Sequence, residues 1–200
     1  MLSKMSSTEY QVDRRELHFV VNETLQAAKL CEFPHFAEFD EEMFTMIINE
    51  ASTFAEQVLA PINVNGDRQG CKIKNGAVVT PDGFTDAWRE LGEGGWLSMS
   101  LPSEFGGQGI PEVIAVIGKE TQLAANQGFT IGASLTTGAA NLIYTFGSDA
   151  QKNDYCQNMF SGKWAGTMCL TEPHAGSAVG DVITSATKQE EGHYLIKGTK

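Results

Sequence analysis

The sequence predicts an α+β protein, in which an all-helical region gives way near residue 162 to the first strands of a sheet. Three observations carry this. Apolar residues recur at helical spacing in successive segments up to about residue 160. From Lys163 the texture changes to KWAGTMCLTE, DVITSATKQ and HYLIKGTK, rich in β-branched and aromatic residues and separated by turn signals. With 200 residues and 42% hydrophobic content, the chain also has material for a sizeable core.

The elements follow in order. Residues 1–36 read as an appended segment, with Asp13 and Glu16 as a capping box. Leu17, Val20, Val21, Leu25 and Ala28 then form a helical stripe that Pro34 closes. The helical domain is expected over 37–161. A helix starts at Asp40, where Glu41 and Glu42 suit the positive end of the dipole. Its seam is Met43, Ile47, Ala51, Phe54 and Val58, and Pro61 is expected to end it. Asn75-Gly76 supplies a type I′ turn that sets Ile73 opposite Val78. A short helix after Pro81 carries Trp88 and Leu91.

The stretch from Gly92 to Pro111 holds six glycines. Such density serves positive φ angles or close packing, in an ordered loop or a flexible one. The interleaved anchors Trp96, Leu101 and Phe105 favour order. Pro111 opens the next helix, with Val113, Ile114, Val116 and Ile117 as its buried stripe. Another helix is expected from Thr136 to Phe146. Ser148 with Gln151 caps a further one that ends near Ser161-Gly162. Three predicted strands over 162–200 cannot close a barrel, so the chain reads as the front portion of something longer.

The formal net charge of −11 and the absence of any Lys/Arg-rich stretch argue against nucleic-acid binding. No apolar run reaches the roughly 18–20 residues of a membrane span, and the N-terminus has no apolar signal region. Cys31, Cys71, Cys156 and Cys169 are widely spaced without a CxxC pair. Reduced thiols and a cytoplasmic location are the expectation.

Several chemistries are missing their signatures. GxxxxGK[ST] is absent, and no GxGxxG joins a strand to a helix. Ser134 and Ser177 both lie outside a GxSxG elbow. His18, His35, His174 and His193 lack metal-ligand spacing, so no metal is expected. Glu120 suits a solvated helix position, and no catalytic base can be named. What remains is MCLTEPHAGSAVGDV, from Met168 to Val182. An extended residue precedes Pro173, and a turn follows it. Gly176 and Ser177 then offer close backbone approach, N–H groups and a hydroxyl to a planar polar ring or a phosphate. A plain β-turn accounts for the same residues equally well.

These residues resemble a known family. MCLTEPHAGS, followed by a strand pair ending in YLIKGTK, is similar to the entry of the middle domain of acyl-CoA dehydrogenases. GGWLSMSLPSEFGGQG is similar to a segment of that family's preceding helical domain, so the resemblance covers roughly Asp40 to Lys200. The N-terminal segment and the Asn-Gly hairpin resemble the larger 3-methylmercaptopropionyl-CoA dehydrogenase-like subgroup. The fold implied is a helical N-terminal domain followed by the first strands of a β-barrel middle domain.

The activity implied is FAD-dependent α,β-dehydrogenation of an acyl-CoA, with electrons passed to an electron-transfer flavoprotein. The cofactor-contacting set implied is Met168, Cys169, Leu170, Thr171, Gly176 and Ser177. Within it, Leu170 offers backbone groups and Thr171 its hydroxyl to the flavin, and Ser177 also contacts the acyl-CoA. The family's catalytic carboxylate is expected beyond Lys200, so the chain alone is expected to be inactive, and the full-length form is expected to be a homo-oligomer. One departure stands out: Ala178 occupies the position where the family usually has Asp, and Asp181 comes three residues later. Two other readings stay open, a flavin oxidase or monooxygenase of the same fold with a non-CoA substrate, and a non-catalytic helical interaction module.

Overall fold

A computed structural model describes residues 10–200. Two compact units divide it, up to Gly166 and from Thr167 to Lys200.

In the first unit, Asp13 accepts the Glu16 amide at 3.0 Å and opens α1 (Arg14–His18), which runs on as a π-helical turn over Phe19–Thr24. The expected stripe does not continue to Pro34. Gln26 takes a left-handed conformation (φ 50°), and short 3₁₀ turns follow over Ala27–Glu32 and Pro34–Phe36. That reversal lets Val21 and Ala27 bury together among Phe44, Ile48 and Ile114. Arg14 grips Glu56 with two 2.8 Å bonds, and the Val12 amide adds a third contact of 2.8 Å. The Arg14 guanidinium holds the Glu56 carboxyl below its usual range.

Asp40 caps α2 (Glu41–Phe54) by accepting the Met43 amide at 2.7 Å. Its most deeply buried apolar residues are Phe44, Ile48 and Ala51, whereas Met43 and Ile47 are half-buried. The core-facing arc is therefore rotated by one residue from the predicted seam. Pro61 does not end the helix. A π-turn over Ala55–Leu59 resets the hydrogen-bond ladder, and Pro61 then falls in the first turn of α3 (Ala60–Gln69), where a missing N–H is tolerated.

The predicted hairpin forms as β1 (Lys72–Lys74) and β2 (Ala77–Val79), with Ile73 opposite Val78. Asn75 (φ 52°) and Gly76 (φ 78°) supply the two left-handed residues of the turn. Trp88 of α4 (Phe84–Glu93) donates its indole N–H to the Gly162 carbonyl at 2.8 Å, and Leu91 is buried.

The glycine-rich loop is ordered by its own backbone. The amides of Gln108, Gly109 and Ile110 donate to the carbonyls of Ser98, Leu101 and Met99 at 2.9–3.1 Å. At Gly107 a Cβ would lie 2.1 Å from the Leu101 carbonyl oxygen, so only glycine allows that crossing. Trp96 stacks on Phe54, Leu101 is buried, and Phe105 meets Tyr144 and Phe160 edge-on.

In α5 (Glu112–Ala125) the buried face includes Ile114, Ala115 and Ile117, but Val116 is half-exposed, contrary to the predicted stripe. The small residue Ala115 faces inward, and Gly118 lies against Ala51 of α2. The next helix, α6 (Gln127–Phe146), starts nine residues earlier than Thr136. Asn126 caps it, accepting the Phe129 amide and donating to the Leu59 carbonyl. Ser148 and Gln151 form the expected capping box of α7 (Asp149–Phe160), with Gly162 (φ 75°) just past its end.

In the second unit, KWAGTMCLTE does not form the predicted strand. Among the described residues no neighbouring strand pairs with Lys163–Thr171, and a strand cannot hold without partners for its backbone groups. Glu172 and Ala175 instead exchange backbone bonds of 3.0 and 3.1 Å across a tight turn. The other two strands form as β3 (Ser185–Lys188) and β4 (Tyr194–Lys197). They pair antiparallel from Ser185↔Lys197 to Lys188↔Tyr194, around a turn with Gly192 at φ 81°. Among the described residues the architecture is thus mostly helical, with small antiparallel sheet fragments and no closed barrel.

Candidate functional site

The residues implied by the resemblance all lie in the second unit, and all are exposed. Met168 is 67% exposed and Leu170 46%, and Cys169, Thr171, Gly176 and Ser177 are exposed as well. Among the described residues the Thr171 and Ser177 hydroxyls make no hydrogen bond, so both are available to a ligand. A Cβ placed at Gly176 would meet nothing within 4 Å, which leaves open space above that backbone. The Leu170 carbonyl, by contrast, already accepts from Lys200 Nζ at 2.9 Å.

Glu172 holds the Thr-Glu-Pro turn in shape. Its carboxylate is almost fully buried and accepts the amides of Ile183 at 2.9 Å and Thr184 at 3.0 Å. Lys200 pairs with it at 3.0 Å, and His174 stands 3.6 Å away. The nearby Thr184 hydroxyl, the Ile183 amide and Lys200 together hold the carboxyl down to about 2, against the opposing effect of desolvation. The Thr184 hydroxyl has no hydrogen bond of regular geometry, so the two amide bonds are the firmer anchors. One buried carboxylate therefore ties the Thr-Glu-Pro turn both to the segment entering β3 and to Lys200, three residues after β4.

Neither Glu172 nor Lys200 was singled out by sequence reasoning. The signal was present in part, because a glutamate before a proline turn cannot stay buried without a cation or several donors. Which lysine answers it depends on the hairpin register, which spacing alone does not reveal. The loop that carries Ala178 is closed without an Asp side chain at that position. The Asp181 amide donates to the Ala178 carbonyl at 3.0 Å, and His174 Nε2 lies 3.1 Å from the Asp181 carbonyl.

Residues 41–163 match the family described as the acyl-CoA dehydrogenase N-terminal domain. The chain belongs to the acyl-CoA dehydrogenase family, a family of oxidoreductases. It is 35% identical over 191 residues to a 3-methylmercaptopropionyl-CoA dehydrogenase of Ruegeria pomeroyi, covering 96% of this chain and 32% of that one. Butyryl-CoA dehydrogenase from Megasphaera elsdenii is similar in structure, with a TM-score of 0.64 and 27% identity over 78% of this chain and 39% of that one. An acyl-CoA dehydrogenase from Bacillus anthracis complexed with FAD has a TM-score of 0.63 and 26% identity, covering 81% of this chain and 26% of that one. The chain spans about a third of the length of the curated relatives it matches. Among the described residues no helix is long and apolar enough to cross a membrane.

Proposed function

We propose that this chain is the front part of an FAD-dependent acyl-CoA dehydrogenase. The observation that carries the reading is the buried Glu172 clamp, which presents Thr171 and Ser177 on an open, ordered turn in a chain of this family. The residues fit such a cofactor, since two unbonded hydroxyls and an unobstructed glycine backbone suit a planar ring with polar edges. Met168, Cys169, Leu170, Thr171, Gly176 and Ser177 would hold it. When bound, FAD supplies the hydride acceptor for α,β-dehydrogenation of an acyl-CoA thioester to the enoyl-CoA.

The chain's own residues contribute binding and orientation. The Thr171 hydroxyl donates to the polar edge of the ring, where a fixed donor is worth most in a water-poor site. Ser177 serves the phosphate side and the thioester ligand. Glu172 and Lys200 keep the turn from collapsing onto those donors. An acyl-CoA is the proposed substrate, an electron-transfer flavoprotein the proposed electron acceptor, and homo-oligomerisation the proposed state of the full-length protein. Four unpaired cysteines support a cytoplasmic location. No base for the α-proton is assigned among residues 10–200, and the 200-residue chain is proposed not to turn over acyl-CoA by itself.

Titration of the purified chain with FAD tests the reading. Saturable quenching of flavin fluorescence is expected, weakened about tenfold in Thr171→Ala, in keeping with one hydrogen bond to a charged or polarised group. Absence of saturable binding, or equal binding by Thr171→Ala and Ser177→Ala, speaks against it. Dye-coupled turnover of an acyl-CoA by the chain alone would overturn the proposal that it is inactive.

A further inference from the structure

The loop that carries Ser177 has little to hold it except hydrogen bonds. Between His174 and Asp181 only Ala175 is buried, Val179 is 51% exposed, and a Cβ at Gly176 or Gly180 would meet nothing within 4 Å. Glycine loses more backbone freedom on ordering than any other residue, so both glycines make a fixed shape costly in an unpacked loop. The local bonds are short in range. The amides of Val179, Asp181 and Val182 donate to the carbonyls of Ser177, Ala178 and Val179 at 3.0–3.3 Å, and Ala175 exchanges bonds with Glu172, which fixes only the entry. Among the described residues one hydrogen bond joins residues 176–181 back to the turn, and His174 makes it.

The geometry fixes which ring nitrogen carries the proton. His174 Nε2 lies 3.1 Å from the Asp181 carbonyl oxygen and 3.6 Å from Glu172 Oε2. A carbonyl and an ionised carboxylate can only accept, so Nε2 bears the hydrogen and donates it to Asp181. In the neutral ring Nδ1 is then bare, and among the described residues it has no hydrogen-bond partner. Glu172 stands beside the donor as a negative charge that favours this tautomer, while its own bonds to Ile183, Thr184 and Lys200 hold it still. Two closures are thereby nested. Glu172 closes the span to Thr184, and His174 closes the shorter one to Asp181, with Ser177 near its middle. Ala178 has no polar side chain with which to do the same.

We propose that His174 is a positioning residue: its Nε2–H donates to the Asp181 carbonyl and holds the loop so that the exposed Ser177 hydroxyl stays free for the phosphate side of the flavin. The identity of that ligand rests on the flavoprotein reading, and the latch itself does not. The ring serves by its reach and its donor rather than by its charge. Glutamine places an amide nitrogen about where Nε2 stands and can take over the bond, whereas asparagine matches Nδ1 and falls short.

The test uses the full 200-residue chain and its variants His174→Gln, His174→Asn and His174→Ala, checked for folding by far-UV circular dichroism. In the wild-type chain at alkaline pH, ¹⁵N spectra of the ring are expected to show the proton on Nε2. Exchange protection of the Val179 and Asp181 amides is expected to fall about fivefold in the Asn and Ala variants, the scale of one neutral hydrogen bond, and to be kept in the Gln variant. The Ile183 and Thr184 amides, which answer to Glu172, are expected to keep their protection in all three. FAD affinity, titrated by flavin fluorescence, is expected to follow the same order, about fivefold weaker in the Asn and Ala variants. The proposal is overturned if the proton sits on Nδ1, or if Asn protects the loop as well as Gln. It is equally overturned if Ile183 and Thr184 lose protection together with Val179, or if the Asn and Ala variants bind FAD as tightly as the wild-type chain. Should the wild-type chain itself fail to bind FAD, the ligand assigned to Ser177 falls with the flavin reading, while the ring and exchange results still decide the latch.

Discussion

The helical unit and the unit from Thr167 to Lys200 are held together by different forces. The first contains three clusters of buried apolar residues, around Phe44, around Leu59 and around Phe160. In the second, only Glu172 and Ala175 are buried, and every residue of β3 and β4 is exposed. One unit is ordered by area removed from water. The other is ordered by a hairpin ladder and a carboxylate with four polar neighbours. A two-stranded ribbon is marginal by itself, so the ion-paired clamp carries unusual weight there. Hydrophobic order is insensitive to pH, whereas order built on a carboxylate is not.

The largest expected effect comes from breaking the first kind of order. Phe44 is fully buried and stacks on Phe39 at 6.1 Å. Phe44→Ala is expected to cost about 3–5 kcal/mol, read as a lower urea midpoint of the helical signal. Next comes Asn126→Ala, which removes the α6 cap and leaves the Leu59 carbonyl without its side-chain donor. About 2 kcal/mol is expected in the same measurement.

Glu172→Gln sharpens the contrast. Hydrogen-exchange protection of the Ile183 and Thr184 amides should fall, while the urea midpoint of the helices stays in place. If the midpoint moved with it, the division into two kinds of order would be wrong. The pH dependence has a definite sign. Because the folded pKa is depressed to about 2, the stabilising contribution is fully present above the unfolded value of about 4.3. It is lost as pH falls through about 2. Amide exchange at Ile183 and Thr184, followed from pH 5 to pH 2, should accelerate relative to the Phe44 cluster once the intrinsic rate is divided out. The smallest effect is expected from Ser148→Ala, which opens the exposed capping box of α7 for about 1 kcal/mol.

Local signals were legible where one or two residues decide the geometry. Asn75-Gly76 placed Ile73 opposite Val78, and Ser148 with Gln151 placed the start of α7. The start of α6 was hidden because Gly128, Gly132 and several Ser and Thr residues weaken its helical texture. In the folded chain those hydroxyls donate to carbonyls four residues back, and tertiary contacts supply the rest. Of the candidate site, the exposed residues of the Thr-Glu-Pro turn could be named from their motif, but the buried partners that shape it could not.

By itself the sequence determined the helix starts that a capping side chain marks, the turns with obligatory left-handed residues, and the motifs that mark the family. All of these depend on interactions within a few residues along the chain. Only the tertiary structure decided that Pro61 continues a helix, that among the described residues Lys163–Thr171 has no strand partner, and that Glu172 meets Lys200. Each of those outcomes turns on a neighbour far along the chain or on a shift in hydrogen-bond register, and neither is encoded in local spacing.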